Sequence, residues 1–123
     1  RHSYALSGFG MYAVERLADG AWLGNAGLVR REGLPGPDIG YAVLSEVAGQ
    51  GYASEAARAV FTHARSQLDI EDLYGITDLD NVASGRILLG LGMHERGVIQ
   101  LPNVDSASRL YATPGAAAVQ QPA

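Results

Sequence analysis

The stretch of residues 39–77 constrains the fold most, because it predicts a strand, a helix and a second strand in succession. Apolar side chains recur at three- and four-residue steps over residues 52–68, which is typical of an amphipathic helix. The flanking segments 39–44 and 73–77 are short and mostly apolar, which indicates strands buried in a sheet. A helix that connects two neighbouring strands of one sheet implies that those strands are parallel.

The other segments predict that this sheet is mixed. Further strands are predicted at 11–17, 22–29, 93–101 and 108–113. Asp19-Gly20 predicts a tight turn between the first two, because glycine accepts the positive φ that a hairpin needs. A second helix is predicted to start at Asp80-Asn81 and to end near Leu91. The order is β-β-β-α-β-α-β-β, so the predicted fold class is α/β (α+β), with a mixed central sheet and flanking helices.

The composition narrows the range of functions. A chain of 123 residues suits one domain, and the absence of cysteine excludes disulfides, thiolate metal sites and a cysteine nucleophile. The three histidines are far apart in sequence, so no metal site is predicted. A net charge of −4 without a basic cluster argues against nucleic-acid binding. No apolar run reaches the roughly 20 residues that span a bilayer, so we expect a soluble protein. The absence of cysteine fits a reducing compartment, and we expect the protein to be cytoplasmic.

The turn between the central strand and the first helix is the strongest candidate binding site. Gly49 and Gly51 stand one residue apart, and glycine lets the backbone approach a ligand without obstruction by a Cβ atom. The helix that follows presents its first backbone N–H groups and the positive end of its dipole. Together these features predict a phosphate or pyrophosphate site. An ordinary tight turn is the alternative for the same residues.

Two other phosphate-binding motifs do not fit this turn. A P-loop needs Gly-Lys-Ser or Gly-Lys-Thr, and the chain contains no lysine. The dinucleotide fingerprint needs a third glycine where Ser54 stands. A nucleotide-phosphate binding domain is therefore the least favoured interpretation.

Four short motifs, taken in order, resemble those of one known superfamily. They are Ile39-Gly40-Tyr41, Gly49-Gln50-Gly51-Tyr52-Ala53-Ser54-Glu55-Ala56, Asn81-Val82-Ala83-Ser84 and Leu91-Gly92-Met93. In this order and spacing the chain resembles the GNAT N-acetyltransferase superfamily over about residues 12–111. It looks most like the branch that includes the ribosomal-protein N-terminal acetyltransferases.

The resemblance implies an enzyme that moves an acetyl group from acetyl-CoA to a primary amine, either a peptide N-terminus or a small-molecule amine. The implied domain is 1–114, N-terminally incomplete, with a flexible tail at 115–123. In the superfamily, pantetheine pairs with the strand that matches 39–44, and amides of the glycine turn bind the pyrophosphate. The implied cofactor-binding residues are Val43, Leu44, Gly49, Gln50, Gly51, Tyr52, Ala53, Ser54, Asn81 and Ser84. No metal is implied.

Acetyl transfer to an amine needs a base for the amine and a polarised thioester carbonyl. The carboxylates at predicted strand ends or loops are Asp38, Glu46, Asp78 and Asp80. A solvated charge or a helix cap is the alternative for each. The catalytic candidates are Glu46 and Ser84, the latter as a hydrogen-bond donor to the thiolate, although a plain helix serine fits Ser84 equally. Tyr41 and Tyr111 are predicted to be core or cleft-lining rings rather than acids, and His63 a packed histidine rather than a base.

Two departures from the superfamily bear on function. Many members carry a tyrosine that protonates the departing thiolate, and Leu88 stands at the matching position. Members also begin with a strand and helices that wall the acceptor site, and nothing before Tyr4 is predicted to supply them. An alternative function is therefore a catalytically silent acyl-CoA-binding or regulatory module. We also expect a homodimer, or residues ahead of Arg1, to cover the edge of the 11–29 hairpin. The acceptor stays open among peptide N-termini, aminoglycosides, polyamines and small amino acids.

Overall fold

The computed structural model describes residues 2–3, 10–16, 19–43, 51–102 and 105–119. The chain divides into two compact units, one made of Arg1–Val29 with Ile39–Asp69 and the other of Arg30–Asp38 with Ile70–Ala123. Within the part of the chain described, no helix is both long enough and apolar enough to cross a membrane.

The first unit is built on an antiparallel hairpin. Strand β2 (Gly10–Arg16) pairs with strand β3 (Trp22–Val29), and Met11 lies opposite Gly27. The turn that joins them places Gly20 at φ 71°, the left-handed region that glycine adopts without strain. This geometry confirms the predicted hairpin.

A short strand precedes this hairpin. Strand β1 (His2–Ser3) pairs antiparallel with β2, and His2 lies opposite Arg16. The expectation that nothing before Tyr4 supplies a strand is therefore wrong for these two residues, which occupy one end of the β2 edge. Two residues are too few to show an alternating apolar pattern, which is why no strand was predicted there. The homodimer expected to cover this edge stays a prediction.

Helix α1 (Tyr52–Ser66) packs against β1 and β3 of the same unit. Its buried residues lie on one face and are small or branched: Ala56, Ala57, Val60 and Ala64. Alanine side chains let a helix approach a sheet closely. The acidic Glu55 in the first turn interacts favourably with the positive end of the helix dipole. The helix ends at residue 66 rather than at the predicted 68: Leu68 N donates to His63 O at 3.3 Å, five residues back instead of four, and Asp69 takes a φ of 56°, which is outside the helical region.

The second unit contains a mixed sheet with the strand order β4-β5-β7-β6. Strands β5 (Tyr74–Asp78), β6 (His94–Ile99) and β7 (Ser108–Ala112) lie wholly in this unit. Strand β4 (Asp38–Val43) contributes only its first residue, Asp38, to it. Asp38 pairs with Tyr74 in parallel, whereas β5 and β6 both pair with β7 in antiparallel fashion. The predicted mixed sheet is thus confirmed, as is the element order from β2 onward.

The two faces of this sheet have different neighbours. Tyr74 lies in a hydrophobic cluster with residues from β6 and β7, and Ile76 packs against it. Successive side chains on a strand point to opposite faces, so Gly75 and Thr77 share the other face. That face packs against helix α2 (Val82–Gly90), whose Leu88 methyl groups lie 2.8 and 2.9 Å from the place a Cβ at Gly75 would take.

The segment that follows β7 is tied to the second unit through residue 119. Ala116 is buried in the hydrophobic cluster, and Val119 packs against it. The Tyr74 hydroxyl donates to Ala117 O at 2.6 Å, and Arg96 Nη1 donates to Ala116 O at 3.3 Å. This differs from the flexible tail expected at 115–123, because side chains distant in sequence hold the backbone carbonyls of small residues. Residues 120–123 lie outside the described residues.

Candidate cofactor and catalytic site

Helix α1 opens on a glycine in the left-handed region. Gly51 is the N-cap, with φ 85° and ψ 0°. A Cβ atom there would meet nothing within 4 Å, so the backbone angle rather than crowding favours glycine. The first intrahelical bond runs from Glu55 N to Gly51 O at 3.0 Å, and the amides of Ala53 and Ser54 precede it. The start of α1 therefore has the geometry of an anion-binding helix end.

Part of the predicted cofactor set is outside the described residues, as is one catalytic candidate: Leu44, Glu46, Gly49 and Gln50. Val43 is the last residue of β4. In the first turn of α1, Tyr52 and Ala53 are half-buried and Ser54 is exposed. The described part of the predicted phosphate-binding turn is thus 51–54, on one continuous stretch of backbone.

Helix α2 begins with a side-chain cap. Asn81 Oδ1 accepts a hydrogen bond from Ser84 N at 3.1 Å, so Asn81 takes the cap role predicted for it. Asp80, the other predicted cap, is exposed, and its carbonyl accepts from Val82 N at 3.0 Å. Ser84 is half-buried in the first turn. The two residues expected near the cofactor arm are therefore coupled to each other by the cap.

One carboxylate differs from all others described. Asp38 is 1% exposed, and its Oδ2 accepts a 2.6 Å hydrogen bond from Arg31 Nε. Its Oδ1 has no hydrogen-bond partner among the described residues. Desolvation by burial raises the pKa of Asp38 to about 6, although the Arg31 guanidinium and the Ile76 backbone amide both act to lower it. Arg31 is 39% exposed, so water screens its charge and burial has the larger effect.

The structure separates the four candidate carboxylates. Asp78 and Asp80 are exposed, as expected of solvated charges, and Glu46 lies outside the described residues. Asp38 is the buried one, with a pKa in the range of a general base at neutral pH. In the sequence, Asp38 is one of four candidate carboxylates, and the predicted catalytic residues do not include it. The only local signal was an acidic residue at the first position of a strand otherwise apolar.

The position expected to lack an acid is a core residue. Leu88 is 1% exposed and inserts against Gly75 on β5. Beside it, Tyr111 of β7 is 4% exposed and directs its hydroxyl at Gly85 of α2. Tyr111 is a packed ring, as predicted. Its contact with α2 was not predicted, because it joins residues from two distant segments.

Two further polar side-chain atoms are buried in the described part of the chain. Thr77 Oγ1, on the face of β5 that packs against α2, and His63 Nε2, on α1, have no hydrogen-bond partner in the described part of the chain. His63 is half-buried, in keeping with the packed histidine that was predicted. Among the residues that the structure describes, no group of three or more His, Cys, Asp or Glu side chains is arranged to hold a metal ion.

Residues 1–94 match the family described as the acetyltransferase (GNAT) domain. The match includes the start of α1, Asp38 and the whole of α2. The protein YoaA of Bacillus subtilis (strain 168), described as an uncharacterized N-acetyltransferase, is 33% identical over 63 residues. That alignment covers 51% of this chain and 36% of YoaA.

Two solved structures share the fold. The acetyltransferase from Agrobacterium tumefaciens str. C58 gives a TM-score of 0.73 at 22% identity, over 85% of this chain and 60% of its own. The ribosomal-protein-S5-alanine acetyltransferase from Vibrio fischeri gives 0.71 at 16% identity, over 84% and 60%. The chain spans less than two thirds of the length of each of these relatives. Because the family match covers well over half of its residues, the chain belongs to the GNAT acetyltransferase family.

Proposed function

We propose that this chain transfers an acetyl group from acetyl-CoA to a primary amine. The observation that carries the proposal is the start of α1, where Gly51 at φ 85° turns the chain into a helix whose first amides face outward along the axis. Within a GNAT domain this helix end suits the pyrophosphate of acetyl-CoA. The catalytic unit proposed is 1–114.

The cofactor is held mainly by backbone in this proposal. Amides of the 49–54 turn, including those of Ala53 and Ser54, donate to the pyrophosphate, and the positive helix end adds about 0.3–1 kcal/mol per interaction at an exposed site. Val43 and Leu44 line the pantetheine arm, and Asn81 and Ser84 lie near it. The net charge of −4 does not prevent binding, because the donors act within hydrogen-bond distance of the anion.

The chemistry requires a base for the attacking amine. Asp38 is the carboxylate we favour, because burial raises its pKa to about 6 and its Oδ1 has no hydrogen-bond partner among the described residues. A base with this pKa is ionised at pH 7 and still accepts a proton readily. Glu46 stays a candidate for the same role, and Ser84 a candidate donor to the sulfur.

The alternative is a module that binds acyl-CoA without turning it over. The buried Leu88 favours this alternative, because a leucine has no proton to give to a departing thiolate. Both functions need the α1 turn, so cofactor binding alone does not separate them. Turnover does.

The acceptor proposed first is a peptide N-terminus. The support is the shared fold with a ribosomal-protein-S5-alanine acetyltransferase, which acts on a protein. A small-molecule amine is the second class of acceptor. A peptide with alanine at its N-terminus and a polyamine represent the two classes in one assay.

The test combines binding with CoA release. A thermal scan with acetyl-CoA should show a rise in Tm, since a ligand at 100 times its Kd adds about 2.7 kcal/mol to the folded state. CoA release is then followed with a thiol reagent, and the chain itself gives no background because it has no cysteine. Binding with release supports the transferase. Binding without release for either amine supports the silent module, and no rise in Tm contradicts both.

A further inference from the structure

The loop that leads into β4 holds a charged pair, Arg31 and Asp38, within the second unit. Leu34 N donates to Arg31 O at 3.3 Å, and the Leu34 side chain packs against the hydrophobic cluster of that unit. At Gly33 the backbone comes so close to Pro102 that a Cβ atom would lie 2.8 Å from Pro102 Cδ. Arg31 therefore stands on backbone that is anchored to the core of its own unit.

The hydrogen bonds of this pair are incomplete on both sides. Arg31 donates to Asp38 Oδ2 through Nε, at 2.6 Å, and its side chain makes no other hydrogen bond to a described residue. The terminal nitrogens Nη1 and Nη2 can therefore still donate as a fork. On the other side, Asp38 Oδ1 is buried and has no partner in the described part of the chain.

An unpartnered oxygen on a buried carboxyl group points to a donor supplied by a ligand. Buried polar groups are nearly always hydrogen-bonded, because leaving one without a partner costs its full desolvation penalty. The Asp38 side chain is 2% exposed, whereas the Arg31 side chain is 39% exposed. A ligand that comes from solvent to Asp38 therefore meets the guanidinium group on the solvent side of the pair.

The two charges of the pair define the ligand that suits it. An amine without a negative charge would satisfy Asp38 but would be repelled by Arg31, and a carboxylate without an amine would be repelled by Asp38. A molecule that carries an amine and a carboxylate close together gives each side chain an opposite charge. Its carboxylate also matches the planar fork of an arginine, which binds two oxygens at once.

This requirement separates the classes of acceptor that the sequence leaves open. Polyamines and aminoglycosides carry several positive charges and no carboxylate, so Arg31 disfavours them. A free amino acid has its carboxylate next to its amine. A peptide N-terminus has one nearby when its second residue is acidic.

We propose that Arg31 selects as acceptor a primary amine with a carboxylate close to it; this rests on the proposed function, in which Asp38 is the base. Arg31 Nη1 and Nη2 donate to the carboxylate, and Asp38 Oδ1 accepts a hydrogen bond from the amine. The source of this chemistry is either a free amino acid or the acidic N-terminus of a peptide. Both side chains belong to the second unit, so binding of the acceptor can be measured without acetyl-CoA.

The test measures binding to the full chain by calorimetry, with two pairs of probes. L-alanine and L-alaninamide differ in the carboxylate of a free amino acid, and two C-terminally amidated peptides that begin Ala-Glu and Ala-Gln differ in the acidic second residue. In one pair or the other, the member with the carboxylate should bind about 10-fold more tightly or better, as expected for hydrogen bonds between charged groups. The pair that shows the preference identifies the source.

Variants of Arg31 then assign the preference to its fork. Arg31→Gln should reduce the preference to within about two-fold, whereas Arg31→Lys, which keeps the charge but loses the fork, should retain part of it. Arg30→Gln is the matched control, because it removes the exposed arginine next in sequence and should retain the preference of the parent. If Arg31→Gln does not fold, the partial loss in Arg31→Lys decides.

A purely structural role for Arg31 gives a different result. Arg31→Gln would then weaken both members of a pair equally and leave the preference intact, and that outcome overturns the proposal. A parent chain without a preference in either pair overturns it as well. A parent that shows the preference but releases no CoA contradicts the proposed function alone, whereas a parent that releases CoA without any preference contradicts only this inference.

Discussion

Replacing Asp38 by asparagine should stabilise the protein at neutral pH and remove a pH dependence. The carboxyl is buried, and its pKa is raised from 3.8 to about 6 because desolvation outweighs the Arg31 contact. A raised pKa means that the ionised carboxylate destabilises the folded state. The protonated Asp38 carboxyl therefore contributes its full share of folding stability below pH 3.8, and that share is lost as the pH rises through 6 and the carboxyl ionises.

The size of this effect follows from the two pKa values. A shift of about two units corresponds to about 3 kcal/mol at pH 7, at 1.36 kcal/mol per unit. Between pH 4 and pH 7, the difference in unfolding free energy between the Asp38→Asn variant and the parent should change by about 2–3 kcal/mol in favour of the variant. Comparing the difference at two pH values cancels the contributions of every other titrating group.

Urea denaturation of both proteins at several pH values between 4 and 7 measures this difference directly. Asp78→Asn is the control, because it makes the same substitution at a carboxyl group that is exposed rather than buried. A difference that does not change with pH would show that burial leaves Asp38 unperturbed. A variant that loses stability relative to the parent as the pH rises would show that the Arg31 pair outweighs desolvation.

The remaining predictions concern the site and the packing around it. Gly51→Val should abolish the rise in Tm with acetyl-CoA. Gly20→Val is its control, because it also forces a side chain into positive φ with nothing within 4 Å of its Cβ, and it should preserve the rise. Equal binding by both variants would mean that the pyrophosphate binds elsewhere. Asp38→Asn should lower kcat by about 100-fold despite its added stability, and unchanged turnover excludes it as the base. Asn81→Ala should lower the unfolding free energy by about 1 kcal/mol through loss of the α2 cap, measured by urea denaturation. Tyr74→Phe should speed proteolysis of the segment that ends at residue 119, and an unchanged cleavage rate means the Ala117 contact does not hold it.

The sequence by itself was enough to predict most elements and the glycine turn that opens α1. Strand β3 has the predicted bounds, α1 starts at the predicted Tyr52, and Asn81 caps α2 as predicted. These features depend on neighbours within a few residues: apolar periodicity, a side chain that caps the next turn, or a glycine that tolerates positive φ. Such information survives in a single sequence because the interactions involved are local.

Tertiary structure alone decided which polar groups are buried. Asp38 stands out from the other carboxylates because Arg31 and β5 enclose it, and desolvation depends on that enclosure rather than on its own stretch of sequence. Tyr111 meets Gly85 only because β7 packs under α2. The segment after β7 looked like a loose tail because alanine and glycine carry little local signal, yet a tyrosine 43 residues away holds Ala117 in place. Burial and long-range contacts arise when distant segments come together, so no local sequence pattern predicts them.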